Sequence, residues 1–165
     1  MSVEAGRSRV VIEGVAPEID GGEFAIKRVV GDSVVVEADA FTDGHDAISA
    51  VLAFRRESDA AWSAVPMTYL VNDRWRGSFA VSEVGRYRYT VIAWIDSFKS
   101  WARDMAKRVA AGQEAPVDLL IGAELVERAA RRASGDAQRL NAYAATLREA
   151  KSGAAQAALS DELAA

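Results

Sequence analysis

The most constraining feature of this sequence is a single change of pattern near Asp96. Before that residue, short valine-rich runs alternate apolar and polar residues, as strands with one buried face do. After it, apolar residues recur every three or four positions in alanine-rich segments, as amphipathic helices require. We therefore predict an α+β protein, in which residues 1–96 form an all-β sandwich and residues 97–165 form a helical segment.

The first half predicts six strands separated by turn residues. Their predicted spans are Arg9 to Glu13, Ser33 to Phe41, Ile48 to Arg56, Trp62 to Met67, Arg74 to Val81 and Arg86 to Ile95. Spacings of about eight to twelve residues, without a helical period between them, favour an antiparallel sandwich over a parallel sheet. Alternation within the strands predicts that these residues face the core: Val34, Val36, Ala38, Ala40, Leu52, Phe54 and Trp75.

One local signal concerns the start of the last strand. A glycine precedes Tyr87, and a second aromatic residue follows two positions later. This is the sequence form of the tyrosine corner that leads into strand F of immunoglobulin-like sandwiches, although two aromatics would also suit any strand. A corner at Tyr87 predicts that these residues face the core: Tyr87, Tyr89, Val91, Ala93 and Ile95. Ile92 and Trp94 then face outwards, and we expect that face to be covered by the following helices or by another domain.

Three apolar stripes in the second half predict three helices. The first stripe is Phe98, Trp101, Ala102, Met105 and Val109; the second, after Pro116, is Leu119, Leu120, Ala123, Val126 and Ala130; the third is Leu140, Tyr143, Ala144 and Leu147. Short connections predict antiparallel packing as a hairpin or small bundle. The sequence Ser160-Asp161-Glu162 is typical of a further helix start with only three residues after it, which suggests a piece of a longer protein.

Composition excludes several classes of protein. The net charge is −4 and neither half carries a basic stripe, which argues against nucleic-acid binding. No run is long and apolar enough to span a bilayer, so no membrane partner is expected. The absence of cysteine excludes disulfides and thiolate metal sites. Because Met1 to Arg7 also shows no secretory signal, we expect a cytoplasmic protein.

Three sets of residues are candidates for a site. His45, between Asp43 and Asp46, suggests either a metal or acid/base cluster or a polar loop of structural importance, and the spacing lacks that of zinc ligands. Trp62 and Trp94 are candidates either for an exposed platform that stacks on sugar rings or for contacts with another domain. Likewise, three acidic residues are either paired carboxylates or the wet face of a strand: Glu13, Glu37 and Asp39.

Longer segments carry a family resemblance. The stretch from Val15 to Asp32 contains Asp20-Gly21-Gly22, and the next strand leads to Asp43-Gly44-His45-Asp46. Together with the stretches Asn72 to Phe79 and Gly85 to Trp94, this closely resembles the N-terminal region of bacterial α-1,4-glucan:maltose-1-phosphate maltosyltransferases. The similarity runs from about Arg9 through the first helix and more loosely to the end.

The resemblance implies an enzyme related to the α-amylase glycoside hydrolases. Such enzymes transfer a maltosyl unit from α-maltose 1-phosphate to the non-reducing end of an α-1,4-glucan, by a retaining mechanism with two carboxylates in a TIM barrel. The N-terminal region that this chain resembles would be a non-catalytic immunoglobulin-like sandwich carrying an inserted helical bundle. It would hold no catalytic residue and no cofactor, contribute to a homodimer, and contact the barrel of its own enzyme.

One further expectation follows from the family pattern, and one alternative function follows from the tryptophans. The sandwich would lack its last strand, which would return only after the helical insertion. The alternative function is a carbohydrate-binding module that holds α-glucan on Trp62 and Trp94. An adhesion-type immunoglobulin module is less favoured, because the sequence has neither cysteine nor a signal.

Overall fold

The fold is that of a computed structural model, which describes residues 9–113, 115–133 and 135–149. The helix start predicted at Ser160-Asp161-Glu162 lies outside these residues. Contacts between Cα atoms divide the chain into two compact units, at the junction of Ile95 and Asp96. The fold class is α+β, with antiparallel sheets in the first unit and three helices in the second.

The first unit contains two antiparallel sheets. Its strands are β1 (Val10–Ala16), β2 (Ser33–Thr42), β3 (Ile48–Arg56), β4 (Ser63–Pro66), β5 (Thr68–Tyr69), β6 (Arg74–Ala80) and β7 (Tyr87–Ile95). A four-stranded sheet has the order β1-β2-β6-β5, and a three-stranded sheet has the order β4-β3-β7. All strand pairs are antiparallel, and the loop between β1 and β2 contains a short 3-10 turn at Asp20–Gly22.

One predicted strand span was wrong, and one strand was not predicted. The run from Trp62 to Met67 contains β4, which ends at Pro66, and after Met67 the chain crosses into the other sheet as β5, the strand that was not predicted. Pro66 has no amide hydrogen to continue the ladder, and the buried Met67 side chain anchors the crossing. β1 extends to Ala16 rather than ending at Glu13. Gly14, at φ +60°, lies where the register of β1 with β2 shifts, and the two strands pair again after it.

Both sheets contribute to one hydrophobic core. The residues predicted to face inwards on β2 are buried, as are Leu52 and Trp75. Phe54 is half-buried and stacks on Phe79, with ring centroids 4.5 Å apart. The Trp75 indole donates a hydrogen bond of 3.2 Å to the carbonyl of Ala40, which satisfies its polar atom inside the core.

The second unit consists of three helices, as predicted. They are α1 (Ser97–Ala110), α2 (Pro116–Ala130) and α3 (Ala137–Glu149). α1 begins after Asp96, whose carboxylate accepts a hydrogen bond of 2.9 Å from the amide of Lys99, and α2 begins with a proline in its first turn. No helix among the described residues is long and apolar enough to cross a membrane.

The predicted apolar stripe of α2 was wrong at Leu120. That side chain is 43% exposed, and Gly122 is buried in the stripe instead. Leu119 and Ala123 already lie on the buried side, and Leu120 is rotated by about 100° from Leu119, so it points away. Glycine has no apolar side chain, so a search for periodic apolar residues does not identify this position as buried.

Polar contacts and close packing join the helices. Trp101 of α1 lies against Gly122 of α2, and its indole donates a hydrogen bond of 2.6 Å to the carbonyl of Asp118. Arg148 of α3 binds both carboxylate oxygens of Glu127 on α2, at 2.8 Å and 3.0 Å. The hydrogen bond from Arg148 lowers the pKa of Glu127 below its ordinary value.

Candidate functional site

The outer face of the four-stranded sheet is a polar face with cross-strand ion pairs. Glu37 lies opposite Arg76 and Asp39 lies opposite Arg74, with closest N–O distances of 2.6 Å and 3.1 Å. Each of these two carboxylates is therefore paired with an arginine, and Asp39 also lies opposite the exposed Glu13 of β1. Glu13 and Asp39 are thus neighbours across the two strands, on a face whose cross-strand ion pairs are typical of the wet face of a sheet.

The outer face of the three-stranded sheet is different, because one end of it is apolar. Alternation in β7 is as predicted: Val91 is buried, whereas Ile92 and Trp94 are exposed. On the neighbouring strand, Val51 lies opposite both Ile92 and Pro66. We call these four residues the Trp94 strip: Val51, Pro66, Ile92 and Trp94. A contiguous apolar strip on a sheet is typical of a surface that contacts protein.

The other end of the same face is charged and carries the second candidate tryptophan. Trp62 is 48% exposed, and the Arg55 guanidinium lies over its ring, 5.1 Å from the centroid. Arg88 lies opposite Arg55 in the register and binds Glu57 with an N–O distance of 2.5 Å. The hydrogen bond from Arg88 holds the pKa of Glu57 below its ordinary value. The two candidate tryptophans therefore lie on the same sheet face, but Trp62 has charged neighbours and Trp94 has mainly apolar ones.

Tyr87 joins the start of β7 to the turn before it. Its hydroxyl donates to the carbonyl of Glu83 at 3.3 Å and accepts from the amide of Glu83 at 3.2 Å. The Ser82 hydroxyl lies 3.3 Å away, and its hydrogen bond is the main reason that the pKa of Tyr87 falls below its ordinary value. An ion pair between Arg56 and Glu83 holds the same turn against β3.

β7 lies at the edge of its sheet, and within the described residues its outer side pairs with no strand. A groove of about 1,320 Å³ runs beside it. Its apolar lining comes from both sheets: Ile12, Val15, Val34, Phe79, Val81 and Val91. The Tyr89 hydroxyl crosses the groove to donate to the carbonyl of Pro17, and burial raises the pKa of Tyr89. The core is therefore accessible along this edge.

The loop between β2 and β3 is bound through its two aspartates to Arg9, the residue before β1. Arg9 contacts Asp46 at 3.0 Å and Asp43 at 3.5 Å, while His45 is exposed between them. Nowhere in the described part of the chain do three histidine, aspartate or glutamate side chains come close enough to share a metal ion. The two carboxylates thus contact an arginine that sequence spacing alone did not connect with this loop.

Sequence reasoning also missed the charged neighbours of Trp62. Arg55, Glu57 and Arg88 come together only through the register of β3 with β7 and through the turn that follows β3. Charged residues at strand ends are common, so the sequence contained no signal that marked these three.

Comparison with known proteins gives a consistent result. Residues 8–165 match the family "alpha-1,4-glucan:maltose-1-phosphate maltosyltransferase, domain N/S". The chain is 52% identical over 160 residues to the maltosyltransferase of that name from Chlorobaculum tepidum, covering 96% of this chain and 24% of the relative. Identity is 41% over 160 residues for that of Salinibacter ruber (95% and 24%) and 46% over 128 residues for that of Myxococcus xanthus (75% and 19%). The chain therefore spans about a quarter or less of the length of these curated relatives.

Proposed function

The chain belongs to the α-1,4-glucan:maltose-1-phosphate maltosyltransferase domain N/S family, and we propose that it is the non-catalytic, architectural N-terminal region of such an enzyme. The enzyme would transfer maltosyl from α-maltose 1-phosphate to the non-reducing end of an α-1,4-glucan, in the synthesis of a glycogen-like polymer. The observation that carries this proposal is identity of 52% across 96% of the chain, confined to 24% of the relative. A catalytic barrel of about 250 residues then has room only in the rest of the protein.

We also propose that residues 1–96 are an immunoglobulin-like sandwich without its final strand, and that residues 97–165 are inserted before that strand. Strand order supports this: β1-β2-β6-β5 corresponds to the order A-B-E-D, and β4-β3-β7 corresponds to C′-C-F. Seven strands would equal the number in a complete constant-type sandwich, but β4 occupies the C′ position and not that of strand G. The groove beside β7 is where strand G would lie.

The hydrogen bonds of Tyr87 support a tyrosine corner, and this part of the proposal can be tested by removing one oxygen atom. Tyr87→Phe is expected to lower the Tm, because the amide and carbonyl of Glu83 lose their partner on the ring. Thermal unfolding followed by circular dichroism measures the effect. Tyr69→Phe is the matched control, since its hydroxyl makes only a 3.5 Å contact with the amide of Asp73. Equal Tm values for the two variants would contradict the corner.

We further propose contacts for the exposed apolar residues. The Trp94 strip would contact the rest of the same enzyme, because an apolar strip without charged residues suits a permanent protein contact. The helical unit would contribute to a homodimer, supported by three exposed apolar residues on α2: Val117, Leu120 and Ile121. The enzyme would be cytoplasmic, in keeping with a sequence that lacks cysteine.

The function is tested on the natural protein that contains this chain. With α-maltose 1-phosphate and maltoheptaose, it is expected to release phosphate and to lengthen the glucan in steps of two glucose units. The chain of 165 residues alone is expected to release none. A natural protein that releases no phosphate would overturn the enzymatic proposal, and phosphate release by the chain alone would overturn its non-catalytic role. Sedimentation of the natural protein tests the dimer.

A further inference from the structure

Two turns of the sheet unit carry exposed valines. Val29 and Val30 lie in the turn that leads into β2, with 68% and 51% of their surface exposed, and Val84 lies between β6 and β7, with 89% exposed. Turns normally use glycine, proline, asparagine, aspartate or serine, because these residues suit the turn backbone. We call Val29, Val30 and Val84 the turn valines. Turn geometry alone does not account for them.

The two turns lie side by side at one end of the sheet unit. The amide of Gly31 donates a hydrogen bond of 2.8 Å to the carbonyl of Val81, and the amide of Val81 donates one of 2.9 Å to the carbonyl of Asp32. Val84 follows Val81 by three residues, so their Cα atoms are at most about 10 Å apart. The turn valines therefore lie close together, and a group of exposed apolar residues is typical of a surface that contacts protein.

Hydrogen bonds also hold both turns in place. The Asp32 carboxylate accepts from the amide of Val29 at 3.1 Å, and the amide of Asp32 donates to the carbonyl of Val29 at 3.1 Å. In the other turn, the backbone of Glu83 binds the Tyr87 hydroxyl, and its carboxylate pairs with Arg56. Valine side chains are themselves stiff, because they branch at Cβ. A partner therefore meets a preformed surface, and binding requires little further ordering of these turns.

The direction of β7 indicates which part of the enzyme lies next to these turns. β7 begins at Tyr87, just after the turn of Val84, and ends at Ile95. Every described strand pair is antiparallel, so a closing strand on the outer side of β7 would begin beside Ile95 and end beside Tyr87. This step rests on the proposed function, in which the closing strand and the catalytic barrel come after the helical unit. We infer that the turn valines dock onto the catalytic part of the same polypeptide, where the chain leaves the closing strand.

The surroundings of the turn valines suit a protein partner better than a small ligand. Arg28 directly precedes the first turn, and Glu83 and Arg86 flank Val84 in the second. An apolar centre with charged neighbours is the composition of a protein–protein interface. The neighbouring charges have both signs, so they provide no strong field for an anion. The partner is also large enough, since this chain covers only 24% of the relative from Chlorobaculum tepidum.

Thiol labelling of the natural protein tests whether the turn valines are covered. Val84→Cys and Val30→Cys each place a single thiol in a chain that has no cysteine of its own. Val71→Cys is the matched control, because Val71 is a 63% exposed residue of the turn between β5 and β6, at the opposite end of the sheet unit. With a maleimide reagent, both probes are expected to react at least about tenfold more slowly than Val71→Cys in the natural protein. In the purified 165-residue chain, all three are expected to react at similar rates, because the three valines are exposed there.

Mass spectrometry of the digested protein gives each labelling rate, and phosphate release is measured separately. Equal rates for the three variants in the natural protein would overturn the docking surface, as would slow labelling of Val84→Cys in the 165-residue chain alone. Protection that disappears when the natural protein is diluted would assign the surface to a second copy and would also overturn it. If docking fails but the natural protein releases phosphate from α-maltose 1-phosphate, the proposed function stands without this contact. If the probes are protected but no phosphate is released, the enzymatic proposal fails and the docking surface stands as a contact within the polypeptide.

Discussion

Gly122→Ala is expected to destabilise the helical unit by about 1–3 kcal/mol, the usual result of overpacking a filled interior. A loss of stability is informative here, because alanine is a better helix former than glycine by about 1 kcal/mol and would stabilise the helix at an exposed position. A Cβ atom at Gly122 would lie 2.1 Å from Cζ2 of Trp101 and 2.5 Å from its Cε2. The indole has little freedom to move aside, because its nitrogen is bound to the carbonyl of Asp118.

Thermal unfolding followed by far-ultraviolet circular dichroism measures this effect. Gly135→Ala is the matched control, since a Cβ atom there has no neighbour within 4 Å, and we expect it to change stability by less than about 0.5 kcal/mol. The double variant Trp101→Phe/Gly122→Ala should lose less stability than the two single variants lose in sum, because the smaller ring frees space for the methyl group. A rise in Tm for Gly122→Ala would show that α1 and α2 do not meet at this point.

Leu52→Ala is expected to destabilise the sheet unit by about 2–5 kcal/mol. Leu52 is fully buried on β3, and it reaches across the core to Gly77 on β6, where a Cβ atom would lie 3.2 Å from its own. The loss combines the transfer free energy of the removed methyl groups with that of the cavity left behind. Gly77 has no side chain that could relax into the space, although the neighbouring Met67 side chain can fill part of it.

Urea unfolding measured by circular dichroism gives the change in midpoint. Leu70→Ala removes the same atoms from a side chain that is 38% exposed, so it should cost less than about 1 kcal/mol. Similar midpoints for these two variants would mean that the two sheets do not enclose Leu52 as described.

Local patterns in the sequence were enough to predict the three helices, every described strand except β5, and most of their buried faces. On β2 the alternation of side chains placed Val36 inside, and on β7 the alternation counted from the predicted corner at Tyr87 placed Trp94 outside, because a strand has a strict period of two. The sequence did not predict β5, which forms after the chain changes sheets at Met67, or the burial of Gly122, which depends on an indole from another helix. Both depend on contacts between residues that are distant in sequence.

The candidate site also combines features that the sequence predicts with features that only the structure shows. The sequence identified Trp62 and Trp94 as equivalent candidates, since both are tryptophans in strand-like runs. Only the structure shows that Arg55 contacts Trp62 and lies opposite Arg88, and that Trp94 lies opposite Ser49. A sequence pattern gives the face on which a side chain lies, but it does not give the residues on the adjacent strand.

The unpaired edge of β7 also has a consequence for the order of events during synthesis. If the strand that pairs with it follows the helical unit, then β7 leaves the ribosome first and must wait while that unit is made, for several seconds at about 5–20 residues per second. During this interval its free amide and carbonyl groups are open to pairing with other nascent chains. The helices have time to fold before the sheet is closed, so the first unit would be the last part of this region to reach its final stability.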